Sequence, residues 1–592
     1  MGIRLDRNAR HSLEARMGDT GFTPSVRDVE SLIAWIADTS DPPSEFYIKA
    51  SHSAVLRADK MHHARAIACV IGHLESAERP ARGHLMRLLG ALVAPLPDAC
   101  DTGEGYHASP RSAALQEATS LGRARLIQSL NDRDIKTRHA AARALGNVVL
   151  RDAAERQRLE QCFLAAWDEG PHDNRPHLAQ AMGKHGLHSA RERLEQSVHA
   201  TDKAGSSQRR QVGRTGEIDA STISRNTARA RIILDREHHR HTPQSVDLTR
   251  SFGSPVGIRF HVRAGIEQLL CDELGSTWRP RIGAPSVVDA RLDGPLSRAT
   301  AVRTALHVSF PVDPVAVRGD LAETIVRALC TPFALARFRA FTTPSPDPIR
   351  FRLAWAHGGH RRALAWRCAE LVANATRELI NDPTQSTWEV RVDDSDGHVR
   401  LELVPRAFAD ARFAYRVATV PASSHPTLAA ALARMVPANA DDLVWDPFMG
   451  AGAELIERAH AGPYAHLFGT DIDPTAVAAA TKNMHSANVQ NTSIHQADAT
   501  SFEPGANTKV SAIVTNPPMG RRVHRGSHRL VLEQFLRHAA RVLRPGGTLT
   551  WAAPDPRLHE IAEREGLRCE RAFAVDMGGF SAEFSVYRAL TR

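Results

Sequence analysis

The sequence has no Cys-x-x-Cys pair. Its cysteines (Cys69, Cys100, Cys162, Cys271, Cys330, Cys368 and Cys569) are scattered singly. That spacing speaks against a zinc site and for a reducing compartment, so a cytoplasmic protein is expected. No run of about 18 apolar residues occurs, and the N-terminus has no signal-peptide core, so no membrane partner is expected. The 30 histidines, including His62-His63 and His238-His239, form no ligand pattern, and no metal is expected. Missing too is a Gly-rich loop followed by Lys-Ser/Thr, as is the longer dinucleotide fingerprint, which removes the common nucleotide-phosphate sites. At 592 residues the chain is too long for one core, and several domains are expected. A net charge of +9 is compatible with a polyanionic partner.

The most informative stretch is Asn516-Pro517-Pro518-Met519-Gly520, after an apolar run at 510–514 that reads as a buried strand. An Asn-Pro-Pro turn at a strand end suits methyl transfer to an amide-like or aromatic amino nitrogen. That nitrogen is a poor nucleophile because its lone pair is delocalised, and it carries two N–H donors. The Asn516 side-chain oxygen and the Pro517 carbonyl can accept one each. Holding both hydrogens pulls the nitrogen towards tetrahedral geometry and aims its lone pair at a methyl donor. The prolines pre-set the turn and add no competing N–H. The bare alternative is an ordinary turn.

Upstream, Leu443-Val444-Trp445-Asp446-Pro447-Phe448-Met449-Gly450-Ala451-Gly452 reads as strand, acidic turn, Gly-x-Gly, and then a helix over 453–460. The glycines let backbone approach a cofactor, and the helix N-terminus faces it. Asp446 would repel phosphates but suits the cationic amine of S-adenosylmethionine. The strand at 466–469 leads to Asp471 and Asp473, where a carboxylate can chelate ribose hydroxyls. Asp473 equally suits a helix N-cap before Pro474. A third strand at 494–499 carries Asp498, which can accept from an adenine amino group or act as a turn residue. Asp446, Asp471, Asp498 and Asn516 thus end successive βα units, and ligands of doubly wound sheets bind at those ends. A helix at 530–542, a strand at 548–552 and an antiparallel pair at 571–577 and 584–589 complete the fold.

These residues resemble the class I S-adenosylmethionine-dependent methyltransferases. Asp446-Pro447-Phe448-x-Gly450-x-Gly452, Gly469-Thr470-Asp471-Ile472-Asp473-Pro474 and Asn516-Pro517-Pro518-x-Gly520-x-Arg522 are similar to the THUMP-associated RNA methyltransferases that modify guanine N2. The resemblance implies a cofactor set of Asp446, Pro447, Gly450, Gly452, Asp471, Ile472, Asp473, Asp498, Ala499 and Asn516. It implies catalysis by Asn516, Pro517, Pro518 and Met519, with S-adenosyl-L-methionine as cofactor. The chain departs from the family in having Met519, where an aromatic residue is usual. A polarizable thioether can also lie against a base. Met449 and Ala451 stand where Cys and Ser are usual.

The expected architecture is multidomain. Residues 1–200 read as α-solenoid-like helices, with a HEAT-like unit at 124–146 and looser copies at 62–93 and 161–183. Residues 201–254 read as a basic linker. Residues 255–410 read as an α+β module resembling the THUMP and ferredoxin-like pair, in which Arg361, Arg362 and Arg367 could offer cations to a phosphate backbone. Helices are expected at 321–340 and 361–380. Residues 411–592 read as the α/β Rossmann-like methyltransferase domain, with His425 opening a helix beside the cofactor's methionine end. The leading expectation is methylation of structured RNA (tRNA or ribosomal RNA), held through 255–410, with a protein partner for the N-terminal helices. The alternatives are a protein glutamine N-methyltransferase, a HEAT-type scaffold carrying a retired enzyme domain, and a DNA adenine methyltransferase.

Overall fold

The computed structural model describes residues 7–17, 22–38, 40, 42–78, 81–94, 110–150, 153–190, 193–194, 220–421, 423–504, 508–519, 527–553, 555 and 557–590. The chain divides into two compact units, Met1–His241 and Thr242–Arg592.

The described residues of the first unit are helical, with 3-10 turns between some helices. Small residues set the helix spacing. A Cβ built on Gly90 of helix Ala81–Val93 would lie 2.3 Å from Ala144 Cβ of helix Ile135–Leu145. One on Gly146, which caps that helix, would lie 2.9 Å from Ala181 Cα of helix Arg175–Lys184. Gly183 in turn abuts Ala230 of helix Ala220–His239, at 3.1 Å from its Cα. Asp134 caps helix Ile135–Leu145 by accepting from Thr137 N at 3.0 Å, and the buried Arg138 pairs with Asp173. Part of the expected 201–254 linker is therefore core. Within Ala220–His239, Ala230 and Leu234, four residues apart on one face of its Arg- and His-rich helix, are buried and belong to the first unit's hydrophobic core, and Ile232 is buried as well. Residues 201–219 lie outside the described residues.

The second unit carries fifteen strands among its described residues. These are β1 (Val256–His261), β2 (Arg281–Ala284), β3 (Val287–Leu292), β4 (His307–Ala316), β5 (Ile349–Trp355), β6 (Leu379–Asn381), β7 (Trp388–Asp393), β8 (His398–Pro405), β9 (Leu443–Asp446), β10 (His466–Asp471), β11 (Thr492–Gln496), β12 (Val510–Thr515), β13 (Leu543–Ala553), β14 (Leu567–Asp576) and β15 (Ser581–Ala589). They form an eight-stranded sheet, ordered β2-β3-β1-β4-β8-β7-β5-β6, and a seven-stranded sheet, ordered β11-β10-β9-β12-β13-β15-β14. In the second sheet β9 to β13 are parallel and β15 is antiparallel to both neighbours, so the C-terminal part is Rossmann-like. Its order reverses between β9 and β12, which places a crevice at their carboxyl ends.

Local chemistry explains where the elements depart from expectation. The helix expected at 321–340 is two helices, Leu321–Leu329 and Pro332–Phe341. Thr331 caps the second through Ala334 N at 3.2 Å, and Pro332 cannot continue the first. The helix expected at 361–380 ends at Ala375, since Thr376 takes extended angles and Leu379–Asn381 pairs with β5. Strand β13 begins earlier than expected, because Arg544–Gly547 loops out of its ladder with β12.

The eight-stranded module and the Rossmann-like sheet share one hydrophobic core, so the expected boundary at 410/411 falls inside a single unit. The two parts also touch through backbone. Asp576 N donates to Ala264 O at 2.9 Å, and a Cβ on Gly265 (φ +100°) would lie 2.1 Å from Ala574 O. Gly265→Ala combines a left-handed backbone with a main-chain clash, so it should lower unfolding stability by roughly 2–4 kcal/mol. Urea denaturation followed by circular dichroism reads this, and an unchanged midpoint would refute the docking contact.

Candidate active site

Strand β9 delivers Asp446 fully buried to the crevice. Its Oδ1 accepts from Thr515 Oγ1 at 2.6 Å and from Phe448 N at 3.1 Å, while Oδ2 is buried without a partner among the described residues. Burial, then the charge of Glu454, holds the Asp446 carboxyl well above the usual carboxylate range. The loop after β9 turns on Gly450 (φ +50°) and Gly452 (φ +82°). A Cβ on Gly450 would meet nothing nearer than Val420 Cγ2 at 4.0 Å, so the loop borders open space there. Behind the loop, Gly469 is required by packing. A Cβ on it would stand 2.6 Å from Met449 Sδ.

Asp471, the last residue of β10, accepts from Gly450 N at 3.0 Å and from Asp473 N at 3.0 Å. It thereby ties the second strand end to the glycine loop. Asp473 caps helix Pro474–Ser486 by accepting from Thr475 N at 2.8 Å, as the N-cap reading requires. Between them, Ile472 stands 72% exposed, an apolar side chain left in the open at the strand tip. Asp498 lies beyond the end of β11, not within it. Its Oδ1 accepts from Thr500 N (2.8 Å) and Thr500 Oγ1 (2.7 Å), bonds that hold its carboxyl below the usual range. Ala499 beside it is buried.

Asn516 follows β12, next to β9. Its Nδ2 donates to Ser424 Oγ at 2.8 Å, and its Oδ1 is buried with no partner among the described residues. Pro517 is buried and Pro518 exposed, while Met519 is half-buried against the main core. Gly520 and Arg522 lie outside the described residues. His425 is the N-cap of helix Pro426–Ala433, the helix it is expected to open.

Sequence reasoning passed over several residues that build this site. Ser424 bridges Asn516 to Glu454, donating to Glu454 Oε1. Glu454 is 3% exposed, and burial pushes its carboxyl up to about 7. Asn483 fastens the segment before Ser424 to the glycine loop, donating to Ala418 O (2.8 Å) and Ala451 O (2.9 Å). Glu457 is clamped by Tyr415 Oη (2.8 Å) and by Arg303 of the eight-stranded module (Nε 2.5 Å, Nη2 2.9 Å). The sequence hid these because helix Ala453–Ala461 looks one-faced, with Glu454, Glu457 and Arg458 on its apparent solvent side. All three are buried. Burial of a charged face is a tertiary fact that helical periodicity cannot carry.

Residues 414–583 match the family model UPF0020, described as RMKL-like, methyltransferase domain. A tRNA (guanine(6)-N2)-methyltransferase from Thermus thermophilus is 32% identical over 157 residues, which is 26% of this chain and 46% of the relative. The U6 snRNA (guanine-N(2))-methyltransferase THUMPD2 of Bos taurus is 28% identical over 124 residues, 21% of this chain and 24% of that one. The chain spans less than half the length of these curated relatives. Among solved structures, TrmN from Thermus thermophilus shares 23% identity with a TM-score of 0.46, over 56% of this chain and 99% of that one.

The buried Glu454 carboxyl has a consequence for stability. Its folded value of about 7 lies above the ordinary 4.5. Between those values the folded chain keeps a proton that the unfolded chain has lost, so stability falls as pH rises through that window. Glu454→Gln removes the effect while keeping the shape. The variant should match wild type near pH 5 and exceed it at pH 8 by up to about 3 kcal/mol, at ~1.36 kcal/mol per pK unit. Denaturation midpoints at the two pH values check this, and equal midpoints at pH 8 would show that Glu454 is not held in a buried state. Over residues 414–583 the chain is similar to the UPF0020 methyltransferase domain.

Proposed function

We propose that the protein is an S-adenosyl-L-methionine-dependent RNA methyltransferase acting on an exocyclic amine, guanine N2 of tRNA or ribosomal RNA foremost. One observation carries the reading. The side-chain oxygen of Asn516 is buried at the end of β12 with no donor among the described residues, near a partly buried Met519 in the same turn. A buried acceptor left empty costs about 1–3 kcal/mol, and an amine substrate would relieve that cost.

The residues present fit the cofactor. Open space beside Gly450 admits its backbone-facing edge. Asp471 keeps lone pairs beyond the two bonds it accepts, enough for ribose hydroxyls. Ile472 offers an apolar face for the adenine ring, and the Oδ2 of Asp498 accepts no described bond and suits the adenine amine. Asp473 is occupied as a helix cap, so the ribose role goes to Asp471. When bound, S-adenosyl-L-methionine supplies an electrophilic methyl group. In this scheme Asn516 Oδ1 and the Pro517 carbonyl accept the two amine hydrogens and turn the nitrogen lone pair towards that methyl. The Pro-Pro turn holds both acceptors rigid, and Met519 lies against the base. The chemistry needs no strong base, because the nitrogen becomes acidic as it gains its fourth bond.

The eight-stranded module supports an RNA grip, and we read it as the THUMP and ferredoxin-like pair. It has a pocket of about 390 Å³ bordered by Arg352, Arg391 and Arg406. These arginines gather round a single carboxylate, Glu389, and so leave a local positive excess. Arg361, expected as a phosphate contact, is bound instead to Asp394 at 2.6 Å, and Arg367 lies 3.7 Å from Glu370. Arg362 is exposed. The N-terminal helices, stacked through Gly90, Gly146 and Gly183, read as a HEAT-like array that sets which RNA or partner protein is engaged.

Nucleoside mass spectrometry of RNA, protein and DNA labelled by the full chain tests the substrate class. N2-methylguanosine is expected, and labelling confined to a protein glutamine or to DNA adenine would overturn the RNA assignment. Asp471→Ala should weaken cofactor binding by roughly 1.5–3 kcal/mol per lost charge-assisted bond, read by calorimetry. An unchanged affinity would remove Asp471 from the site. RNA affinity should fall steeply with salt, and Arg362→Gln with Arg406→Gln should each flatten the log–log slope by about one. A salt-independent affinity would contradict a phosphate grip.

A further inference from the structure

Ser424 joins the amide group of Asn516 to a buried acid. Its hydroxyl carries one proton. Asn516 Nδ2 can only donate, so Ser424 Oγ accepts from it at 2.8 Å and directs its own proton to Glu454 Oε1. With the amide reversed, Asn516 Oδ1 would compete for that proton, Glu454 would lose its donor, and the amide N–H groups would face the crevice. An amine substrate, which donates, could not then be held. The choice between the two amide orientations is therefore made behind Asn516.

We propose that Ser424 and Glu454 are positioning residues that fix the amide of Asn516 with its oxygen towards the substrate, Glu454 acting as the acceptor that commits the Ser424 proton. The inference rests on the amine-methylating reading of the same site. It adds a protonation switch to it. Ionised Glu454 demands the Ser424 proton and locks one orientation. Protonated Glu454 can donate to Ser424 Oγ, which frees the Ser424 proton for Asn516 Oδ1 and admits the reversed amide.

The surroundings make that switch usable. Burial and the charge of Glu457, one turn along the same helix, favour the protonated form, whereas the Ser424 bond and Arg416 favour the ionised one. Asp446 on β9 is also buried beside it, and Tyr415 faces it from the connecting segment. Glu457 is itself neutralised by Arg303. The balance leaves Glu454 titrating at about 7.

Two measurements on the full chain test this. In single-turnover methyl transfer to undermethylated total RNA, the wild-type rate should rise about tenfold from pH 6 to pH 8, following the ionised fraction of a group near 7. Glu454→Gln should lose that rise, and Ser424→Ala should lose most of the rate while binding the cofactor as wild type does. Ser424→Thr, which keeps the hydroxyl, should restore the rate. The second measurement needs no activity. The infrared carbonyl band of protonated Glu454, assigned by its absence in Glu454→Gln, should titrate near 7 in wild type. Its midpoint should be higher in Ser424→Ala and in Asn516→Ala, because each weakens the hydrogen bond to the ionised acid. Unchanged midpoints in both variants overturn the relay, as does wild-type transfer by Ser424→Ala or a persisting pH rise in Glu454→Gln. If wild type labels no RNA at all, the functional reading fails, and the infrared titration alone decides the relay.

Discussion

Thr515 Oγ1 donates to Asp446 Oδ1 at 2.6 Å across the ends of β12 and β9, where the order of the seven-stranded sheet reverses. A doubly wound sheet diverges at this point, and each strand end would otherwise be free to splay. The buried bond holds the glycine loop that follows Asp446 at a fixed distance from the Asn-Pro-Pro turn that follows Thr515. Asp471 extends the constraint sideways by accepting from Gly450 N. Asn483 extends it backwards to the segment that carries Ser424. The glycine loop and the Asn516 amide, which the proposed function assigns to cofactor and substrate, are thus parts of one hydrogen-bonded frame.

The frame accepts an electrostatic cost. Asp446 and Glu454 are both buried, and both carboxyls are raised by that burial. A fold selected for stability alone would place neutral or apolar groups there. Retaining acids beside an empty amide oxygen fits a site whose polarity serves chemistry. The same helix bears Glu457, which Arg303 reaches from the eight-stranded module. An ion pair with one member on each part couples the position of the module to the helix behind the glycine loop.

The strand ends were legible in the sequence because each carries a short polar signature after an apolar run. Asp446, Asp471 and Asn516 stand at successive strand ends around the crevice, and the glycines between them turn as expected. Element boundaries were less legible where a single residue decided them: Thr331 and Pro332 split one helix, and Thr376 stopped another. What the sequence concealed was partnership. Nothing in the string shows that Arg361 is bound by Asp394, or that Ser424 touches both Asn516 and Glu454, since their partners lie 33, 92 and 30 residues away. The same holds for Ala220–His239, whose polar composition suggested a linker. Ala230 and Leu234, on one face, suffice to make it part of the first unit's core.

The central claim is that Asn516 holds its buried oxygen open for an amine, and a separation of binding from chemistry tests it most directly. Asn516→Ala should bind S-adenosyl-L-methionine with wild-type affinity by calorimetry. Its single-turnover methyl transfer should be slower by about 100-fold or more, because the acceptor acts mainly in the transition state. Turnover equal to wild type on the same RNA would contradict the account.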